Sequence, residues 1–308
     1  MIPIPIKTIQ SALKIPETGI YDDFTEAAVR NFQLRNSLVP TGIVDNDTAS
    51  ILFPLTESSE EIIPMPDVTP STDLSEVVVP IKQYRLKRGQ YLNGPTKKEY
   101  VFLHHTAGWE NPYLVVDQWG SDSRGPVGTQ FVIGGRNCQT LSDKYDGEIL
   151  QCLDYENYAW HIGLGNIPIH TNSIAIELCN FGYVTQVSKG QYKTYIGKSI
   201  QKSEVTDLGA EWRGQRFFHK YTDAQLKSLD FLIRKIGQEQ GIDIRAGLRD
   251  RLIKMGKFEA FNYGPSISSG KVHGLFTHAN VSGPNKWGRY EKWDLFPQDE
   301  ICDLIMAL

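Results

Sequence analysis

The residues best suited to chemistry in this 308-residue chain lie at the ends of apolar runs. The stretch YVFLHH, residues 100–105, is aromatic and aliphatic until it closes on His104 and His105. Read as a strand, it sends neighbouring side chains to opposite faces. His104 then shares a face with Phe102, and His105 shares one with Val101 and Leu103. The two do not converge on one ion, so one is a ligand and the other a packed or supporting group. Standing alone, a histidine at a strand end reads as a hydrogen-bonded core residue. It does not stand alone. In HGLFTHANVSGPNKWGRYEKWD, Leu275 and Phe276 lead into His278, and the loop that follows ends on Asp294. Two imidazoles and a carboxylate with a water completing the set make a catalytic zinc site. His104, His278 and Asp294 supply that set, although they lie far apart in sequence.

A further carboxylate belongs with them. In SIAIELC, Ile174, Ile176 and Leu178 fall on one face of a strand, and Ser173, Ala175, Glu177 and Cys179 on the other. The first is a core face; the second is small and polar, as a cleft floor would be. Glu177 is either a solvent-facing or salt-bridged residue or, beside a metal-activated water, a general base. Cys179 reads as a small buried residue.

Elements of defined type must position these groups. The strands YVFLHH, PVGTQFVIGG, GEILQCL and NSIAIELCNFG are interspersed with helices. The clearest helix spans residues 222–241. Thr222 and Gln225 form a capping box, Leu226, Leu229, Leu232, Ile233 and Ile236 make one face, and Gly241 ends it. This is an α/β domain with a mixed β-sheet flanked by helices. Ahead of it, TGIYDDFTEAAV from Thr18 and TGIVDNDTASIL from Thr41 repeat one plan. In each, a glycine makes a turn, an isoleucine plugs the core and a capped helix follows. With Ile6, Ile9 and Leu13 at helical spacing, residues 1–53 read as a small three-helix domain. Residues 54–84 read as a proline-rich, acidic linker, with no Lys or Arg between Asn36 and Ile81. Residues 85–308 are the large domain.

Composition narrows the classes. A net charge of −4 and a pI near 6.0 give no basic field for nucleic acid or anionic lipid. No apolar run reaches the roughly 18 residues of a membrane span. The start MIPIPIKTIQ lacks a charged segment followed by an apolar one, so synthesis in the cytoplasm without a signal peptide is expected. Four cysteines without paired spacing do not form a disulfide framework.

The motifs FLHHTAG, AWHIG, NSIAIEL and GLFTHANV…KWD together resemble the zinc-dependent N-acetylmuramoyl-L-alanine amidases, across residues 98–297. That family includes phage lysins, wall-recycling enzymes and peptidoglycan recognition proteins. Residues 4–53, with AAVRNFQ and both TGI turns, resemble the peptidoglycan-binding domain found at the ends of cell-wall hydrolases. The resemblance implies Zn2+ as cofactor, held by His104, His278 and Asp294. It implies Glu177 as catalytic carboxylate and Lys292 as a catalytic lysine two residues before the third ligand. His161 in AWHIG is implied to contact substrate or support the zinc site. Thr129 takes the substrate-side position at which many relatives carry a tyrosine. His170, His219 and His273 are expected to be packing or surface residues. The implied partner is peptidoglycan, reached after release or delivery. A non-catalytic wall-binding protein, or a virion or injection-device component with the same fold, is the alternative. Residues 184–210 have no placed counterpart and suggest a flap over the groove.

Overall fold

Two apolar strands, Tyr100–His105 and Ser173–Leu178, lie side by side and parallel, buried along their whole length. Continuous apolar runs suit strands covered on both faces. Their register sets His104 directly beside Glu177. In the computed structural model the described residues are 79–94, 96–164 and 167–308, together with 4–13, 15, 17–21, 25, 26, 28, 29, 32, 33, 38 and 41–53 nearer the N-terminus. The chain divides into two compact units, Met1–Leu74 and Ser75–Leu308.

In the larger unit, six strands form one sheet. From edge to edge they are Ile81–Gln83, Ile149–Gln151, Phe131–Ile133, Ser173–Leu178, Tyr100–His105 and Gly274–Thr277. Neighbours are parallel except Phe131–Ile133 with Ile149–Gln151. Helices cover both faces. The helix Asp223–Gln240 lays Leu226, Leu229, Leu232, Ile233 and Ile236 against Ile174, Ile176 and Leu178. Its predicted ends are found: Thr222 and Gln225 form the capping box, and Gly241 takes the left-handed conformation at φ 65°. The opposite face packs Val132, Leu150 and Cys179 against Val116 of the helix Pro112–Trp119. The fold class is the mixed α/β sheet that the sequence predicts.

The linker boundary needs correction. Ile81–Gln83, placed by sequence in the linker, is an edge strand paired with Ile149–Gln151. At three residues it is too short to show a pattern. Residues 54–78 of the expected linker lie outside the described residues. Residues 184–219, part of which suggested a flap, form two small antiparallel sheets. One joins Val184–Ser188, Gln191–Thr194 and Ser199–Ile200; the other is a hairpin of Val205–Trp212 and Gln215–His219.

The N-terminal unit contains helices Ile6–Ala12 and Asn46–Leu52, and residues 25, 26, 28, 29, 32 and 33 are helical. Part of the expected middle helix lies outside the described residues. The repeat is real, but its plug differs from the one predicted. Ile20 and Ile43 are 65% and 60% exposed. Gln10 and Gln33 are buried in their stead. Gln10 Nε2 reaches Thr18 Oγ1, Ile20 O and Thr25 Oγ1, each at 2.9 Å, and its Oε1 accepts from Gly19 N at 2.8 Å. Gln33 makes the same contacts one repeat later, to Thr41, Ile43, Thr48 and Gly42. A buried amide is tolerated only when its donors and acceptor are matched in this way.

Candidate functional site

His104 is the penultimate residue of Tyr100–His105, the second strand from one edge, and His278 follows the edge strand Gly274–Thr277 directly. Because those strands run parallel, both imidazoles emerge at the same end of the sheet. Asp294 comes to them on the loop that follows. His104 Nδ1 lies 3.2 Å from His278 Nδ1, His278 Nδ1 lies 2.8 Å from Asp294 Oδ2, and His104 Nδ1 lies 3.3 Å from Asp294 Oδ2. All three residues are buried.

This near-equilateral triangle suits a metal. Tetrahedral zinc with bonds of about 2.0–2.1 Å separates its ligand atoms by about 3.3 Å. The protonation states suit it too. Burial drops the His104 imidazole to about 4, so it is neutral and has a lone pair to offer. Burial works against charge on Asp294, but His278 and His104 beside it hold the carboxyl well below the usual carboxylate range. Two imidazoles and a carboxylate form the donor set of a zinc hydrolase. Among the described residues no other group of three such side chains comes this close.

The far side of His104 is also tied. Its Nε2 lies 3.1 Å from His161 Nδ1, His161 Nε2 lies 2.6 Å from Ser173 Oγ, and Ser173 Oγ donates to His170 O at 3.0 Å. With His104 Nδ1 turned to the triangle, its Nε2–H donates to His161, whose own Nε2–H donates to Ser173. Such outer partners fix the tautomer and ring orientation of a ligand. His161 therefore braces His104 and stands outside the triangle. Ser173 was missed as a partner, although it shares the Glu177 face.

His105 points the other way. Its Nδ1 lies 2.9 Å from Tyr221 Oη, and its ring packs edge-on to Phe296. Gly182, at φ 73°, touches it so closely that a Cβ there would come within 2.6 Å of Nε2.

Glu177, 9% exposed, borders a hollow of about 800 Å³ that is also lined by His104, His161, His278, Lys292, Asp294 and Thr129. Burial pushes its carboxyl up to about 8; the Asp294 charge adds to the rise and Lys292 opposes it. Lys292 is exposed at the rim. Thr129 is fully buried and its hydroxyl donates to Phe131 O at 2.9 Å, so its polar atom is already engaged within the fold. Tyr195, from the segment 184–210, reaches the hollow and donates its hydroxyl to Ala107 O at 2.6 Å. No described helix is long and apolar enough to cross a membrane.

Comparison with known proteins adds family matches. Residues 7–52 match the family described as putative peptidoglycan binding domain. Residues 94–254, just over half of the chain, match the N-acetylmuramoyl-L-alanine amidase family. That span holds His104, His161 and Glu177 and stops before His278 and Asp294. No curated protein matches the chain. Among solved structures, a mutant endolysin from Bacillus subtilis is similar at 16% identity over 54% of this chain and 80% of its own, with a TM-score of 0.34. PlyL is similar at 14% identity over 63% and 92%, with a TM-score of 0.34. The amidase AmiD from E. coli, solved with anhydro-N-acetylmuramic acid-L-Ala-D-gamma-Glu-L-Lys, is similar at 19% identity over 51% and 50%, with a TM-score of 0.31.

Proposed function

The chain belongs to the N-acetylmuramoyl-L-alanine amidase family and carries a peptidoglycan-binding domain ahead of that region, and from this premise we propose that it is a zinc-dependent, lysin-like hydrolase of the amide joining N-acetylmuramic acid to L-alanine. The observation that carries the reading is the triangle of two Nδ1 atoms and one carboxylate oxygen, edges 2.8 to 3.3 Å, next to a buried glutamate on the adjoining strand.

When bound by His104, His278 and Asp294, zinc supplies Lewis acidity to the scissile carbonyl and to the attacking water. The rest falls to the chain. Glu177 takes the proton from the water as it attacks and hands it to the departing amine of L-alanine, so the carboxylate is regenerated within one turnover. Lys292, at the rim of the same hollow, places its ammonium where the carbonyl oxygen gains negative charge. His161, backed by Ser173, holds His104 in the tautomer that presents Nδ1. The hollow is open and lined by Tyr183, Tyr195 and Trp293, as an extended glycopeptide requires.

Mass spectrometry of digested peptidoglycan tests the reading. The expected products are free stem peptides with an L-alanine amino terminus and glycan whose lactyl groups end in carboxylates. Cleavage within the peptide or between sugars would overturn it.

The N-terminal domain is assigned to wall attachment, which raises the local concentration of the catalytic unit. A protein beginning at residue 79, which keeps the edge strand Ile81–Gln83, is expected to cleave soluble muropeptides at the full-length rate. It should pellet less with insoluble wall and degrade wall more slowly at low enzyme. Equal pelleting of the two proteins across a range of salt would remove the targeting role.

A further inference from the structure

We propose that Arg213 is a positioning residue for the metal ligands, a brace delivered by the hairpin Val205–His219 to both ends of the segment that separates His278 from Asp294. The inference rests on the zinc hydrolase reading and concerns what holds that site in shape.

The hairpin turns at Arg213, whose φ of 52° places a long side chain in the left-handed region. Residues other than glycine are uncommon there, and asparagine or aspartate are the usual exceptions. Arg213 is half-buried at this turn, and its contacts converge on a small region. Nη1 donates to Lys292 O at 2.6 Å and Nη2 donates to Ala279 O at 2.7 Å. Its own carbonyl accepts from Trp293 Nε1 at 3.1 Å. Its guanidinium stacks over the Tyr290 ring at 4.3 Å. Ala279 follows His278, while Lys292 and Trp293 precede Asp294.

The planar fork of one guanidinium therefore spans the two strands of chain that bear two of the three ligands. A direct bond completes the closure, from Ala279 N to Asp294 O at 2.7 Å. The twelve residues between, 280–291, make a long loop. Closing such a loop costs chain entropy in every binding-competent molecule. A brace that holds its two ends lowers the part of that cost that metal binding must meet. Lysine cannot reproduce the brace, because a single ammonium lacks two donors in a fixed plane. The cost of the arrangement is visible: Nε of Arg213 is buried without a hydrogen-bond partner.

The test is zinc affinity of the full-length protein, measured by competition with a chelator in the absence of substrate. Arg213→Ala should weaken zinc binding by about 10–100-fold, the range typical of outer partners of metal ligands. Arg213→Lys should fall between, because it keeps the charge and one bond. Arg216→Ala, which breaks an exposed pair with Asp207 on the same hairpin, should bind zinc as the parent does. In turnover of a soluble muropeptide, the alanine variant should recover kcat at saturating zinc with KM unchanged. Parental zinc affinity in Arg213→Ala overturns the proposal, as does an equal loss in Arg216→Ala. If the alanine variant does not fold, Arg213→Lys decides, and parental affinity there overturns it. A parent protein that binds no zinc would overturn the metal reading itself, and the brace with it.

Discussion

Replacing Glu177 with glutamine is expected to lower peptidoglycan cleavage by about 10²–10⁴-fold, the usual loss when a general base is removed, while fold and zinc content should stay intact. The substitution changes almost no volume and leaves the backbone pairing with His104 untouched. What it removes is the capacity to accept a proton. The wild-type rate should fall on acidification as that capacity is lost. Its midpoint should lie between the ordinary glutamate value of 4.5 and about 8, since a bound cation pulls the raised value down. The residual rate of the variant should lack this limb. Stability runs the other way. A carboxyl whose folded pKa is raised binds its proton more tightly in the native state, so metal-free stability declines as pH rises from 4.5 towards 8. Glu177→Gln should flatten that decline and melt no lower than the parent at pH 8. A variant within a few-fold of parental turnover would show that another group is the base.

The second large effect separates two adjacent histidines. His104→Ala and His278→Ala each remove one corner of the ligand triangle, and both proteins should lose stoichiometric zinc and activity together. His105→Ala should keep its zinc. It leaves a cavity beside Phe296 and strips Tyr221 Oη of its partner, so the expected cost is about 2–4 kcal/mol of stability. Metal analysis and melting temperature of the three variants decide the matter. Zinc lost from His105→Ala and retained in His104→Ala would reverse the assignment.

The legible parts of this protein were those in which a periodic pattern meets an unusual residue. His104, Glu177 and His278 could be placed because each interrupts or ends an apolar strand, where alternation fixes the direction of the side chain. Their meeting in space follows from parallel pairing of three strands, which carries no local signal; family resemblance supplied it. The core of the helix Asp223–Gln240 and both its ends were legible for the same reason. Polar networks were not. Gln10 and Gln33 lie eight positions ahead of the threonines they hold, so nothing local marks them as the centre of each repeat. The reading instead buried Ile20 and Ile43 on hydrophobicity alone. Arg213 was equally hidden, a single arginine in a turn whose partners are backbone carbonyls and so leave no trace in residue type. Thr129 lines the hollow as expected, yet its hydroxyl bond to Phe131 O could not be foreseen from its neighbours.

The two facing imidazoles are 174 positions apart in the chain. They meet only when Gly274–Thr277 docks on Tyr100–His105, an edge pairing on one side of the sheet. Contacts between distant segments form late, because the intervening chain must be closed before they give any return. A ribosome that has reached residue 270 has released the strands bearing His104 and Glu177 but none of the C-terminal ligands. Its product can hold one corner of the triangle and no more. A nascent chain is thus unarmed until the segment carrying His278 and Asp294 has been made and has docked on the sheet.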